Sequence, residues 1–207
     1  IFDLNTTSGR FDPLSFSGSG SNYTVGFIPD ADFEGDAVIS VDNGSFNDTV
    51  GNAFNSTTPT LTIAVDSKAP TIGISADNTS LLAGDTSTLT LTLSEEAANA
   101  TDFGFADLAV SNGTLDINTF TPVTATEYTV VYTPEQDFEG IVTFNVAGST
   151  FSDTFLNPNE ASTDFNISVD TKVPTATLTS DLASLNATQS ATINISLSEA
   201  SSFGETG

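Results

Sequence analysis

The chain repeats itself at a fixed interval, and that repeat limits what it can fold into. Val65-Asp66-Ser67-Lys68-Ala69-Pro70-Thr71 returns as Val169-Asp170-Thr171-Lys172-Val173-Pro174-Thr175, 104 positions later. Asp32-Phe33-Glu34-Gly35 returns as Asp137-Phe138-Glu139-Gly140, Tyr23-Thr24-Val25 as Tyr128-Thr129-Val130, and Leu93-Ser94-Glu95 as Leu197-Ser198-Glu199. Shared anchors at offsets of 104 or 105 residues, with only small insertions between them, mark a tandem array of like units, each stacking on its neighbours. The frame is shifted. Residues 1–66 correspond to the later strands (C–G) of a repeat, 67–170 make one complete repeat, and 171–207 correspond to the first strands (A–B). Phe203-Gly204 followed by Phe2-Asp3-Leu4 would read on almost in register, beside Phe103-Gly104 and Ala106-Asp107-Leu108. Two readings follow. The chain is an excerpt of a longer array, or the C-terminal hairpin of one copy completes the N-terminal half of the next. In both, Ile193, Ile195 and Leu197 are expected to be buried against a copy of strands C–G. The start at Ile1, without Met or a signal peptide, is expected of a piece or a processed product.

Within the complete repeat the apolar residues have period two, the signature of half-buried strands. Leu89, Leu91 and Leu93 alternate with Thr, and Tyr128, Val130 and Tyr132 alternate likewise. Val142, Phe144 and Val146 form a third series, and Phe165, Ile167 and Val169 a fourth. Gly84-Asp85, Asn112-Gly113 and Pro134 punctuate them as turns. The pattern predicts seven strands, at 71–76, 86–94, 107–111, 115–121, 127–133, 141–147 and 163–170. Seven short strands in one repeat indicate an all-β fold of tandem immunoglobulin-like β-sandwiches. The chain has no Cys and no Trp, so aliphatic residues and Phe must fill the core. An incomplete sandwich over 1–66 is expected to expose Val25, Phe27 and Ile39, and strand edges left open invite pairing.

Charge narrows the function classes. The chain carries 27 acidic residues against 3 basic ones, a net charge of −24. That excludes nucleic acids and anionic membranes as partners, both being negative themselves. It favours solubility, tolerance of salt, or divalent cations as neutralising partners. No apolar run approaches the ~18 residues that span a bilayer. With neither His nor Cys, a Ser or Thr nucleophile lacks its usual base. Paired carboxylates can cleave glycosides, but here they recur in each repeat, as a structural device does. The sequence therefore reads as that of a non-enzyme.

Strand alternation decides which loops meet. Glu95 and Glu96 follow the second strand and lie at the N-terminal pole of the complete repeat. The loop with Asp102 and Asp107, and the last loop with Asp153 and Glu160, lie there too. Asp137 and Glu139 lie at the opposite pole beside Asp170. Stacking then gathers Asp32, Glu34, Asp66, Glu95, Asp102 and Asp107 at the first junction, with Asp137, Glu139, Asp170 and Glu199 at the second. Two carboxylates ~4 Å apart repel by about 1 kcal/mol in water and ~4 kcal/mol at an effective dielectric of ~20. Lys68 alone cannot offset this, whereas Ca²⁺ accepts ~6–8 oxygen ligands in flexible geometry. These ten carboxylates are the candidate metal ligands, and structural calcium is the expected cofactor. A solvated acidic surface is the plainer alternative, and no EF-hand loop or Gly-rich nonapeptide supports calcium independently.

The Val-Asp-x-Lys-x-Pro-Thr linker, the Leu-Ser-Glu strand end, the Asp-Leu strand start at Asp107-Leu108 and the Asp-Phe-Glu-Gly turn resemble bacterial Ig-like repeats. These are the extender repeats of Bap-like and RTX-type giant surface adhesins. The resemblance implies an extracellular, cell-surface spacer that supports adhesion or biofilm, often with calcium between domains and with neighbouring repeats or identical subunits as partners. One departure is that Asn157-Pro158-Asn159 stands where the first unit has Gly51-Asn52-Ala53, so that loop is expected to vary. Two rival readings are a head-to-tail extracellular filament or surface layer, and a carbohydrate- or protein-binding module with an aromatic cleft in only one repeat. Tyr23 and Tyr128 alternate with Thr and read as core residues rather than a sugar platform. Sequons such as Asn5, Asn22, Asn43, Asn47 and Asn78 would accept glycans only in a host that attaches them.

Overall fold

The computed structural model describes residues 3–55, 59–99 and 101–200. The join text at Phe2 and Phe203-Gly204 lies outside them. In the first unit, β1 (Leu4–Thr6), β4 (Glu34–Val41) and β5 (Thr60–Asp66) form a sheet of order β1-β4-β5, while β2 (Arg10–Ser19) and β3 (Asn22–Ile28) form a separate hairpin. In the second, one sheet has the order β10-β11-β8-β6 and the other β7-β13-β12-β9. The first comprises β6 (Ile72–Ala76), β8 (Ser87–Leu93), β10 (Thr114–Pro122) and β11 (Glu127–Thr133). The other comprises β7 (Ser80–Leu82), β9 (Leu108–Val110), β12 (Glu139–Val146) and β13 (Phe165–Asp170). β14 (Ala176–Ser180) and β15 (Ile193–Leu197) make a last hairpin. The fold is all-β, as the alternation predicts.

The second unit is a closed sandwich because every second side chain of its central strands is apolar. Leu89 and Leu91 of β8, Val130 and Tyr132 of β11, Val142 and Phe144 of β12 and Ile167 of β13 are fully buried in one core fed by both sheets. Each of the Leu, Val, Ile and Phe side chains contributes roughly 1.5–3 kcal/mol of transfer free energy. Tyr132 and Phe144 meet edge to face across the sheets at 4.8 Å, the arrangement that ring quadrupoles favour. An eighth strand, β7, adds to the seven expected. It leaves the sheet of β6 and pairs in parallel with β13, Leu81 opposite Val169. Three residues are too few to show a period, but Leu81 is buried and the Asp85 carboxylate accepts from the Leu82 N–H at 2.9 Å, closing the turn.

Gly113, between β9 and β10, sits at φ 78°, and a Cβ there would lie 2.6 Å from the Thr133 carbonyl oxygen and 2.7 Å from the Tyr132 ring. Both the left-handed backbone and the contact oppose a side chain. Gly113→Ala is expected to lower stability by roughly 1–3 kcal/mol, read from the urea midpoint at unchanged slope; an unmoved midpoint would contradict it.

The outer segments differ from this core. Among the described residues before 67, Ala37 is the one fully buried apolar side chain. Val25, Phe27 and Ile39 are half-buried rather than exposed, because the β2–β3 hairpin and the β1-β4-β5 sheet give them partial cover. Tyr128 is buried, as expected, but Tyr23 is 56 % exposed and stacks on Phe16 at 5.6 Å. The expectation of a core role for Tyr23 fails in this chain because nothing equivalent to β6 and β8 lies over its hairpin among the described residues. Ile193 and Ile195 are likewise exposed in the single chain, and Leu197 is half-buried.

Candidate metal centre at the junction of two units

Three chain segments meet where the first unit passes into the second. β5 ends at Asp66, whose carboxylate accepts from the Lys68 N–H at 3.0 Å and so turns the chain into the linker. β8 ends at Leu93, and Ser94 fastens the next turn: its hydroxyl oxygen accepts from the Thr71 N–H at 2.9 Å. Glu95 follows at the pole. The loop between β12 and β13 supplies Asp153, which is fully buried. One carboxylate oxygen each from Asp66, Glu95 and Asp153 falls within 4.8 Å of the other two.

Asp153 is held rigidly. One carboxylate oxygen accepts from the Phe155 N–H at 2.8 Å and the Asn157 N–H at 2.9 Å, and the other from the Asn157 side-chain amide at 2.8 Å. The same amide nitrogen donates to the Asp66 carbonyl at 3.1 Å, so Asn157 ties the loop of one unit to the last strand of the other. The Glu160 N–H donates to the Pro70 carbonyl at 2.9 Å and adds a second tie.

This loop is a repeat feature. In the first unit, Asp48 accepts from the Val50 and Asn52 N–H groups and from the Asn52 amide, in the pattern of Asp153, Phe155 and Asn157. The bridges Asn47↔Ala53 and Ser152↔Pro158 correspond as well. Asn157 therefore matches Asn52, and the expected difference between the loops came from a pairing one residue out of step. Those hydrogen bonds, with the Asn52 amide foremost, hold the Asp48 carboxyl below the usual range.

Glu95 is shifted the other way. Burial raises its pKa first, followed by repulsion from Asp66, Asp153 and Glu34, against a smaller opposing pull from Lys68. A carboxyl whose folded pKa lies above its unfolded value binds more protons when folded, so stability falls as pH rises from the ordinary glutamate range through the raised one. We expect urea unfolding of wild type to show this loss across that window and Glu95→Gln to lack it. Parallel pH profiles for the two proteins would rule it out.

The other expected ligands take different places. Asp102 accepts from the Ser152 N–H at 2.7 Å and its hydroxyl at 3.1 Å, bracing the Asp153 loop. Asp107 accepts from the Gly104 N–H at 2.8 Å and caps the 3₁₀ turn Phe105–Asp107. Asp32 and Asp137 occupy left-handed backbone at φ 54° and 56°, a turn position Asp tolerates. Glu34 is exposed and pairs in register with Asp66. At the second junction Glu139 pairs in register with Asp170 and its carboxylate receives the Lys172 ammonium at 3.5 Å, while Glu199 is exposed. The structure thus brings two of the first-junction candidates, Asp66 and Glu95, together with Asp153.

An aromatic hollow of about 570 Å³ beside this pole is lined by Phe103, Phe120 and Tyr128. Its Phe120–Tyr128 stack, at 5.5 Å, has a counterpart in Phe16–Tyr23 of the first unit. The pair recurs, unlike the cleft of a binding module confined to one repeat.

A family profile described as a bacterial Ig-like domain matches residues 1–65 and again 66–169. No curated protein matches the chain in sequence. Among solved structures, the chain is similar to FdeC, described as a broadly conserved Escherichia coli adhesin eliciting protection against urinary tract infections. Identity is 13 %, the TM-score is 0.37, and the match covers 95 % of this chain and 63 % of that one. The chain thus spans less than two thirds of that protein's length, and a likeness so distant does not bear on function.

Proposed function

The chain belongs to the bacterial Ig-like domain family, and on that premise we propose that it is an extender segment of a large adhesin. Its sandwiches would project an adhesive tip from the cell surface, in support of attachment or biofilm, with calcium stiffening each junction. The observation that carries the reading is the convergence of Asp66, Glu95 and Asp153, drawn from two successive units, within 4.8 Å. The donor set is all oxygen, which suits a hard cation. One carboxylate is already oriented by three hydrogen bonds, so little ordering remains to oppose binding. Three negative charges with Lys68 as the nearest cationic partner would separate without a counter-ion and draw together around one. The role is mechanical and non-catalytic. It needs no partner beyond the neighbouring repeats.

The test is thermal unfolding and solution scattering of the chain in millimolar calcium and in chelator. Extracellular calcium modules bind with Kd of about 10⁻⁴–10⁻³ M. At free calcium tenfold to a hundredfold above Kd, binding stabilises by about 1.4–2.7 kcal/mol. The melting temperature should rise and the scattering profile should narrow to one extended shape. Identical melting and scattering in both buffers would sink the calcium reading, and Glu95→Gln should abolish the difference without unfolding the domain.

A further inference from the structure

We infer that Asn157 is a positioning residue for the junction, and that its side-chain amide fixes the angle at which the second unit leaves the first. The inference rests on the calcium reading only in that Asn157 grips two of the same three residues, Asp66 and Asp153. The amide carries two hydrogens, and its two acceptors belong to different units. One is the Asp153 carboxylate at 2.8 Å, the other the Asp66 carbonyl at 3.1 Å.

Two ties hold the linker. The Asn157 amide takes the Asp66 carbonyl at its start, and the Glu160 N–H takes the Pro70 carbonyl at its end, at 2.9 Å. A single hydrogen bond between two bodies acts as a pivot, and a second one further along the linker removes the swivel. Between the ties the Asp66 carboxylate accepts from the Lys68 N–H at 3.0 Å, which keeps the spanned segment bent. Events at the carboxylates reach the same contacts. Repulsion among Asp66, Glu95 and Asp153 pulls against the amide, whereas a cation drawing them together would relieve it.

Asn157 is set in place more firmly than an ordinary loop residue. Pro158 follows it, and a proline ring confines the preceding residue to extended backbone. Leu156 precedes it at φ 69°, left-handed backbone that a bulky residue resists, where the first unit has Gly51 at φ 94°. Strain of this kind persists only where the surroundings impose it, and it clusters where position matters. Here Asp153 imposes it by accepting from the Phe155 and Asn157 N–H groups on either side of Leu156. Asn159 has a different task. Its amide donates to the Ala147 and Glu160 carbonyls, so it shapes the loop without reaching the first unit.

The test measures the angle directly. The chain has no Cys, so Thr62→Cys and Ser168→Cys, at exposed strand positions of the two units, take spin labels at those places alone. Pulsed electron spin resonance gives the distance distribution between the labels, in calcium and in chelator. It is recorded for the labelled chain unaltered elsewhere, and with Asn157→Ala or Asn52→Ala. Asn157→Ala keeps the backbone N–H that Asp153 accepts, and a cooperative unfolding transition checks that the 67–170 core is intact. Asn52→Ala removes the matching bond to Asp48 inside the first unit's loop and touches neither tie.

The unaltered chain should give a narrow peak in calcium and a wider one in chelator. Asn157→Ala should be wider than it in both buffers. The narrow peak should stay lost when calcium is raised about 10–100-fold, which offsets the affinity lost with a hydrogen-bonded partner of a ligand. Asn52→Ala should match the unaltered chain. A distribution for Asn157→Ala as narrow as that of the unaltered chain in both buffers overturns the inference, as does equal broadening by Asn52→Ala. An unaltered chain indifferent to calcium, with Asn157→Ala still wider, supports the role of Asn157 and counts against calcium instead.

Discussion

Replacing Leu91 by Ala is expected to lower the unfolding free energy of the 67–170 unit by about 2–5 kcal/mol. The side chain is fully buried between β6 and β11 in a core shared by both sheets, so truncation leaves a cavity that neighbours on paired strands cannot close. Against a total of about 5–15 kcal/mol for a domain, that is a large fraction. Ile195 occupies the same place 104 residues later and is half exposed in the single chain. In dilute monomer, Ile195→Ala should change stability by no more than about 0.5 kcal/mol. Denaturant unfolding of both variants reads the contrast directly, and equal losses would mean that burial does not separate the two sites. Glu95→Ala, which opens no cavity, should leave the fold intact in chelator.

The second large effect is expected at Asp153. Asp153→Ala strands the Phe155 and Asn157 N–H groups and the Asn157 amide. Hydrogen bonds to a charged group are worth about 1.5–3 kcal/mol each and are not additive within one network, so the expected loss is on the order of 3 kcal/mol. Asp153→Asn keeps an acceptor for the two N–H groups and removes the charge that helps raise Glu95. In chelator it should therefore lose much less than Asp153→Ala while shifting the Glu95 titration downward, seen by carboxyl NMR. If the two variants are equally unstable and Glu95 does not move, Asp153 is not coupled to the junction as described.

Much of this was legible beforehand, for definable reasons. One buried face imposes period two on β8, β11, β12 and β13, and a one-residue slip would put every Leu or Val in water. β7 carried no such signal at three residues. Nor did the irregularity in β10, where the pairing with β11 shifts between Asp116 and Thr121. For the junction, strand direction was enough to send Asp66 and Glu95 to one pole. It could not tell them from Asp102 and Asp107, which are spent on backbone N–H groups a short chain distance away or in the adjoining loop. Asp153 was placed at the right pole without being counted a ligand. The signal was available in the shared Asp-x-x-x-Asn spacing of Asp48 with Asn52 and Asp153 with Asn157, which a pairing one residue out of step concealed. Tyr23 shows the converse limit: its pattern is that of a core residue, but burial depends on which strands are at hand.

The short strand β7 also determines how the complete unit meets tension. It lies near the entrance of the unit and runs parallel to β13, the strand by which the chain leaves. A pull on the two ends drags β7 and β13 past each other along their length. The backbone bonds around Ser80–Ser168, Leu81–Val169 and Leu82–Asp170 are then strained together in shear rather than parted one at a time, as they would be at the open end of an antiparallel hairpin. A tether made of such units under flow would resist until these bonds fail as a group and then lengthen abruptly, one sandwich at a time.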